Sequence, residues 1–392
     1  MRQRSGDVSL LRRLNSAAIL RGLRESGVAT LSELARAARV SRPTAEVVME
    51  DLLAEGWAEE CGEEQGGGQG GGQGGEQGDR RRGRPARRFR FRAAAGHVVG
   101  VGVGASRLRA MVTDLDGAVV AARHVPGHPS TPAGDRLDAI ADLVGAVVAE
   151  AGLTVPDVAA VGVGTTGTVD GSGRVVKSVA LAGWTGLDLR AELSRRLQAP
   201  VLVENDMRLA VLAEHWRGQA RGRQDVVYLF TGSRLGLGLL IGGRPHRGAH
   251  AASGEIGRQP GDHWRAYRHV TEYAISVEPG EMRSQREAAE FAIERARAGD
   301  EQAGRAVRDF ARHLGEGLIT VVTPLDPELV VIGGSLSKAG DLLIEPIRER
   351  FAEVCLYPPA VVASGLGGEC IALGAVRLAL EQAERQLFTQ VS

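Results

Sequence analysis

The sequence predicts an α/β protein headed by a small helical module with a basic wing. Three observations carry that expectation. Residues 8–56 hold three helical patterns with a tight link between the second and third. Residues 80–92 form an arginine-rich run, and from His97 onward Val/Gly-rich strand segments alternate with helices and end in glycine loops. A chain of 392 residues can bury two or three cores, and the composition shifts divide it into a winged helix-turn-helix over 1–92 and a larger α/β domain over 93–392.

Composition narrows the class. Hydrophobic content of 43% and charged content of 24% fit a soluble globular protein. The formal net charge is zero, so no whole-molecule field draws the chain onto nucleic acid; any such affinity must be local. The three cysteines, Cys61, Cys355 and Cys370, form no CxxC pair, which suits a reducing cytoplasm. No apolar run approaches the ~20 residues of a membrane span. The opening Met1-Arg2-Gln3-Arg4-Ser5-Gly6-Asp7 lacks the apolar core of a signal peptide. A cytoplasmic location without membrane partners is expected.

The first helix is expected over residues 8–26, where Leu10, Leu11, Leu14, Ala17, Ala18 and Leu20 recur at helical spacing and Gly27 ends the run. Thr30 is placed to cap a second helix, Leu31–Ala38, with Glu33 at the capping-box position. Val40 fills a turn. Ser41 caps a third helix with Pro43 in its first turn, running through Val47, Val48, Met49 and Leu52 to Leu53 and stopping at Gly56. Any three-helix bundle has this apolar spacing. Read as a helix-turn-helix, the third helix enters the major groove by its N-terminus. Ser41, Arg42, Pro43, Thr44 and Glu46 are then the candidate DNA contacts.

The Gly/Gln-rich insertion at 62–79 cannot pack a core and is expected to be disordered. In the basic run that follows, Phe89 and Phe91 alternate with arginines, as in a strand with one packed face and one phosphate-facing side. Arg82 and Arg84 are candidate contacts at the wing, and Arg84, between Gly83 and Pro85, suits a minor groove. A charge run is usually a solvated face; its position directly after a helix-turn-helix pattern favours DNA.

In the large domain, strands are expected at Val98–Gly104 and Leu108–Leu115, joined beyond by a hairpin turn at Asp116-Gly117. An amphipathic helix follows at Leu137–Ala151, then a strand at Val158–Val163 ending in Gly164-Thr165-Thr166-Gly167. Further strands are Val201–Val203, leading into Glu204-Asn205-Asp206, Val226–Phe230, leading into Thr231-Gly232-Ser233-Arg234-Leu235-Gly236, and Leu329–Ile332, leading into Gly333-Gly334-Ser335. Glycines after strands let backbone amides approach phosphate or sugar oxygens, although many α/β folds place them there.

The order of these motifs is more specific than any one of them. With Leu11-Arg12-Arg13-Leu14-Asn15, Gly83-Arg84-Pro85, Leu181-Ala182-Gly183-Trp184, Glu204-Asn205-Asp206, Gly254-Glu255-Ile256-Gly257, Leu325-Asp326-Pro327 through Gly333-Gly334, and Gly374-Ala375, nearly the whole chain resembles the ROK family (repressors, open reading frames and sugar kinases), particularly its transcriptional-repressor branch. The resemblance implies a two-lobed fold like that of actin and hexokinase (ribonuclease H-like), with a sugar cleft between the lobes. It also implies that Asn205 and Glu255 hydrogen-bond sugar hydroxyls and that Asp206 matches the kinase general base. Asn205 and Asp206 are equally suited to capping the helix that follows them.

The chain departs from the kinase pattern at several of these positions. Gly102 stands where the first phosphate loop carries an Asp, which leaves magnesium without a protein anchor. Arg234 replaces a glycine of the second phosphate loop, and Ala180 replaces an Asn before the Leu-Pro-Gly-Trp-like segment. Arg258 replaces the zinc-binding His, and Trp264–Glu272 contains no cysteine; His263 and His269 are expected to be exposed. The expectation is therefore no zinc, no ATP or magnesium, and no catalysis. Arg258 also points to an anionic ligand such as a phosphorylated or acidic sugar. Taken together, these residues suggest a dimeric or higher-order repressor that binds operator DNA and a sugar-like effector. An active sugar kinase with a DNA-binding head and an effector-independent DNA-binding protein are the rival readings.

Overall fold

The computed structural model describes residues 4–61, 86–258 and 262–389. The insertion expected at 62–79 and the wing residues Arg82 and Arg84 lie outside the described residues, as does the side chain of Arg258.

The head comprises α1 (Arg4–Ser26), β1 (Val28–Thr30), α2 (Leu31–Ala37), α3 (Arg42–Ala54), β2 (Ala58–Cys61) and β3 (Arg88–Phe91), with the strands antiparallel in the order β1-β3-β2. Local chemistry sets the helix starts. Thr30 Oγ1 accepts the Glu33 N–H at 3.3 Å while the Glu33 carboxylate accepts the Thr30 N–H at 2.7 Å, a closed capping box. Ser41 Oγ accepts the Thr44 N–H at 3.2 Å, and Pro43 occupies the first turn of α3. The core joins Ile19, Leu20 and Leu23 of α1, Leu34 of α2 and Ala45, Val48, Met49 and Leu52 of α3. Phe89 and Phe91 fill it from β3, whose Arg88 and Arg90 face solvent as the alternation predicts.

Two expectations for apolar residues fail here. Leu11 and Leu14 are exposed; among the α1 side chains described, the buried stripe runs from Ala17. Val47 is 53% exposed: the buried set 45, 48, 49 and 52 already completes one helical face, and position 47 falls outside it.

Met1–His97, Asp114–Asp116 and Glu381–Ser392 form one compact unit, and Val98–Thr113 with Gly117–Leu380 forms the other. The second unit contains two five-stranded sheets. The first sheet is built from β4 (His97–Val103), β5 (Arg107–Asp114), β6 (Val119–Pro126), β7 (Val158–Thr165) and, after the short hairpin β8 (Thr168–Val169) and β9 (Val175–Lys177), β10 (Val201–Asn205). Its order is β10-β7-β4-β5-β6. The β5–β6 pair is antiparallel, with Gly117 at φ +78° in the turn where the Asp-Gly signal placed it. Helices α4 (Ala133–Glu150) and α5 (Leu189–Leu197) pack on this sheet, with Trp184 fully buried among them.

Helix α6 (Asp206–Arg217) leads to the second sheet: β11 (Val226–Thr231), β12 (Leu235–Ile241), β13 (Arg244–Pro245), β14 (Leu329–Gly333) and β15 (Ala360–Ala363), ordered β13-β12-β11-β14-β15. Helices α7 (Tyr267–Val277), α8 (Gln285–Arg297), α9 (Glu301–Leu325) and α10 (Asp341–Val354) belong to this lobe, and α11 (Cys370–Thr389) closes the chain. α11 lies directly on the first sheet. A Cβ on Gly162 would come 2.0 Å from Ala375 O, and one on Gly374 would come 2.0 Å from Leu209 O. These glycines serve backbone packing rather than phosphate contact.

Candidate functional site

The head presents one exposed polar face at the start of α3. Arg42, Pro43 and Glu46 are exposed at the start of α3, as the sequence predicts. Ser41 and Thr44 are engaged with each other, hydroxyl to hydroxyl at 2.7 Å, so their first role is to hold the helix start. The arginines of the wing strand are not equivalent. Arg87 makes a two-pronged pair with Glu60 at 2.8 and 2.7 Å, and Arg90 binds Glu59 at 2.5 Å. Both acids come from β2, a strand that sequence reasoning missed because Ala58-Glu59-Glu60-Cys61 has little strand propensity. Among the described residues no ion pair engages Arg88, which leaves its guanidinium available to phosphate.

In the large unit, the strand-to-helix corner β10–α6 gathers Asn205, Asp206 and Arg234. Asn205 caps α6: its Oδ1 accepts the N–H groups of Met207 (2.9 Å) and Arg208 (3.1 Å), and its Nδ2 donates to Gly167 O at 2.8 Å. Asp206 is buried, accepts the Met207 N–H at 3.0 Å, and forms an ion pair with Arg234. Burial raises the Asp206 carboxyl above its usual range, and Arg234 pulls against that shift. Arg234 therefore reaches back 28 positions to hold the Asp206 carboxylate.

Behind this pair lies a network that the sequence did not reveal. Arg208 is fully buried and donates to Glu204 Oε1 at 2.6 Å, to Val169 O at 3.1 Å and to Ala251 O at 2.9 Å. Glu204 also accepts the Asn205 N–H at 2.7 Å and receives Arg247 at 2.5 Å. The four-residue spacing of Glu204 and Arg208 is a usable signal, but nothing local marks Arg247. Ser178, against Gly167, is buried with its hydroxyl unpartnered.

Other candidates lie apart from this cluster. Glu255 is exposed just before a short 3-10 turn, Ile256–Arg258, and among the described residues its carboxylate bonds to neither Asn205 nor Asp206. His269 is not exposed as expected: it is half-buried with Nε2 3.5 Å from Nδ1 of His313, whose own Nε2 lies 2.6 Å from Asp262 O. α9 covers that face of α7, which is why a hydrophilic-looking position is occluded. One imidazole on a backbone carbonyl and a second on the first do not make a zinc donor set, and among the described residues no group of three or more His, Cys, Asp or Glu could hold a metal. Gly102 packs toward α11, where an added Cβ would find ordinary contacts at 3.5 Å. With no carboxylate there and Arg234 on Asp206, the residues do not fit magnesium–ATP.

The profile of the ROK family matches residues 98–382. The chain belongs to the ROK family. A glucokinase of Streptomyces coelicolor is 28% identical to this ROK protein, covering 73% of it and 98% of the glucokinase. A xylose repressor of Caldicellulosiruptor bescii is 20% identical over 96% of this chain and 97% of its own. The solved structure of a ROK family transcriptional regulator, a homolog of the E. coli MLC protein, covers 97% of the chain with a TM-score of 0.73 at 20% identity, a likeness of fold that includes the head. The glucokinase match covers 73% of this ROK protein, whereas the repressor and regulator matches cover 96% and 97% and so extend over the head. Among the described residues no helix is long and apolar enough to cross a membrane.

Proposed function

We propose that this ROK protein is a DNA-binding transcriptional regulator whose large unit senses a sugar or sugar derivative without phosphorylating it. The ion pair between Arg234 and Asp206 carries the reading. A general base must be free to take a hydroxyl proton in the reacting geometry. Here the matching carboxylate is buried beneath a guanidinium supplied by the loop that would otherwise cradle phosphate. The head supports the other half: a capped recognition helix with Arg42, Pro43 and Glu46 exposed, beside a strand presenting Arg88. A relative named as a xylose repressor, whose match spans 96% of this chain, agrees with it. Binding as a symmetric homodimer would place two such heads on a palindromic operator.

The test pairs two measurements on the purified full-length chain. Selection from sheared genomic DNA should enrich a two-fold-symmetric site. A coupled ATPase assay over a panel of sugars should show no sugar-dependent turnover. Sugar phosphorylation at ordinary kinase rates, about 1–100 s⁻¹, would put the kinase reading in its place.

A further inference from the structure

The β10–α6 corner has little left to offer a neutral sugar. Both functional atoms of Asn205 are engaged, Oδ1 with two helix N–H groups and Nδ2 with Gly167 O. Asp206 receives Met207 N–H, the Asn205 amide and Arg234. Glu204 receives Asn205 N–H, Arg208 and Arg247. Hydroxyl groups are commonly recognised by carboxylates and amides that accept their protons, and here three donors already converge on each buried carboxylate and two on the Asn205 oxygen.

The corner's remaining capacity is in donors. Arg234 and Arg247 stay 35% and 47% exposed while each contacts a carboxylate, and a guanidinium carries five N–H groups. The charges point the same way. Arg208, Arg234 and Arg247 stand against Glu204 and Asp206, an excess of one positive charge. Buried Arg208 alone neutralises Glu204, so the charge of Arg247 is the surplus one, and it lies at the solvent edge.

We propose that the ligand of this unit is an anionic carbohydrate, a sugar phosphate or sugar acid, whose acidic group is received by Arg247 and Arg234. The proposal rests on the reading of the unit as a carbohydrate sensor and names the class of its ligand. Planar guanidinium forks match carboxylate and phosphate oxygens, and such charge-assisted bonds are the strong ones.

Calorimetric titration of the full-length protein tests it with a hexose, its 6-phosphate and its uronic acid for each of several hexoses, together with inorganic phosphate and magnesium–ATP. One acidic member should bind at least about tenfold more tightly than its neutral parent, with an affinity that falls as salt rises. The phosphate and uronate arms identify the source of the anion. Arg247→Gln should erase that preference, and Arg247→Lys should retain part of it; a cooperative melting transition establishes that each variant folds. Equal or tighter binding of the neutral sugar overturns the proposal and leaves the sensor reading standing. A preference that survives both Arg247→Gln and Arg234→Gln overturns it too, as does inorganic phosphate binding as tightly as the sugar phosphate. If no carbohydrate binds, the sensor reading itself fails.

Discussion

Replacing Arg234 with alanine separates the electrostatics of the cleft corner from its packing. The Asp206 side chain is 4% exposed and that of Arg234 is 35%, so the carboxylate stays buried when its partner is removed. Breaking a fully buried pair from one side costs about 3–5 kcal/mol, whereas an exposed pair contributes under about 1 kcal/mol. One buried and one part-exposed partner place the expected loss between these, near 2 kcal/mol at pH 7. The Met207 N–H and the Asn205 amide still face Asp206 and keep the loss from the upper limit. The pH dependence follows from the direction of the shift. Burial holds Asp206 above the usual carboxylate range, so stability is greatest below its ordinary value of about 3.9 and is lost as pH climbs through the folded value. Without Arg234 the folded value rises further, so the deficit of Arg234→Ala should be largest at pH 7 and shrink toward pH 5. Urea unfolding at both pH values measures it, and Asp206→Asn alone and combined with Arg234→Ala completes a double-mutant cycle. A coupling energy of about 1–2 kcal/mol is expected. Additive effects, or a deficit that does not change with pH, would refute the ion pair as the corner's electrostatic centre.

Five further substitutions have defined outcomes. Ser41→Ala removes the α3 cap and should lower stability by about 1 kcal/mol, read by thermal unfolding, with DNA affinity falling alongside. Arg88→Ala should weaken binding to any duplex and reduce the salt slope by about one, while Arg87→Ala, whose guanidinium is paired with Glu60, should change the slope less. Ser178→Ala removes a buried hydroxyl that lacks a partner and should raise stability by up to about 1 kcal/mol; a loss would reveal a hidden hydrogen bond. Burial, and then the neighbouring His313 and Arg268, hold His269 below the usual imidazole range despite Asp309 and Glu272 nearby. Its stability contribution is present above about 6.5 and lost as pH falls through the folded value, so the melting midpoint should drop more below pH 6.5 in the wild type than in His269→Gln.

What the sequence made legible was local. The capping box at Thr30 and Glu33, the Ser41 cap, the Asp116-Gly117 turn and the alternation of Phe89 and Phe91 are each decided within a few residues. So was the likeness to the ROK family, because its motifs keep their order along the chain. What escaped was partner choice across the fold. Arg247 reaches Glu204 from 43 positions away, and the Glu59 and Glu60 carboxylates that occupy Arg90 and Arg87 lie 31 and 27 positions before them. A charge in a sequence announces a donor or an acceptor but not whether it is already occupied. Asn205 illustrates the limit: its identity suits both sugar recognition and helix capping, and only the positions of Met207, Arg208 and Gly167 reveal that the cap engages both ends of its amide.

The same engagement of side chains bears on how the proposed sensor transmits a signal. A ligand shifts a conformational balance only if it binds one arrangement better than another. Arg208 cannot supply that difference, because it is buried and tied at once to Glu204, Val169 O and Ala251 O. It acts as a fixed strut between β8 and the loop after β13. The part-exposed Arg234 and Arg247 can supply it, since each shares one guanidinium between a buried carboxylate and the open edge. An anion drawing on either head would change the neutralisation of Asp206 or Glu204, and so the balance of charges on a strut that joins both lobes of the unit. On this view the Arg234 side chain that covers the Asp206 carboxylate is also the one that makes the corner responsive. Arg234→Gln should then weaken the response of the protein to its ligand more than it weakens the folded state.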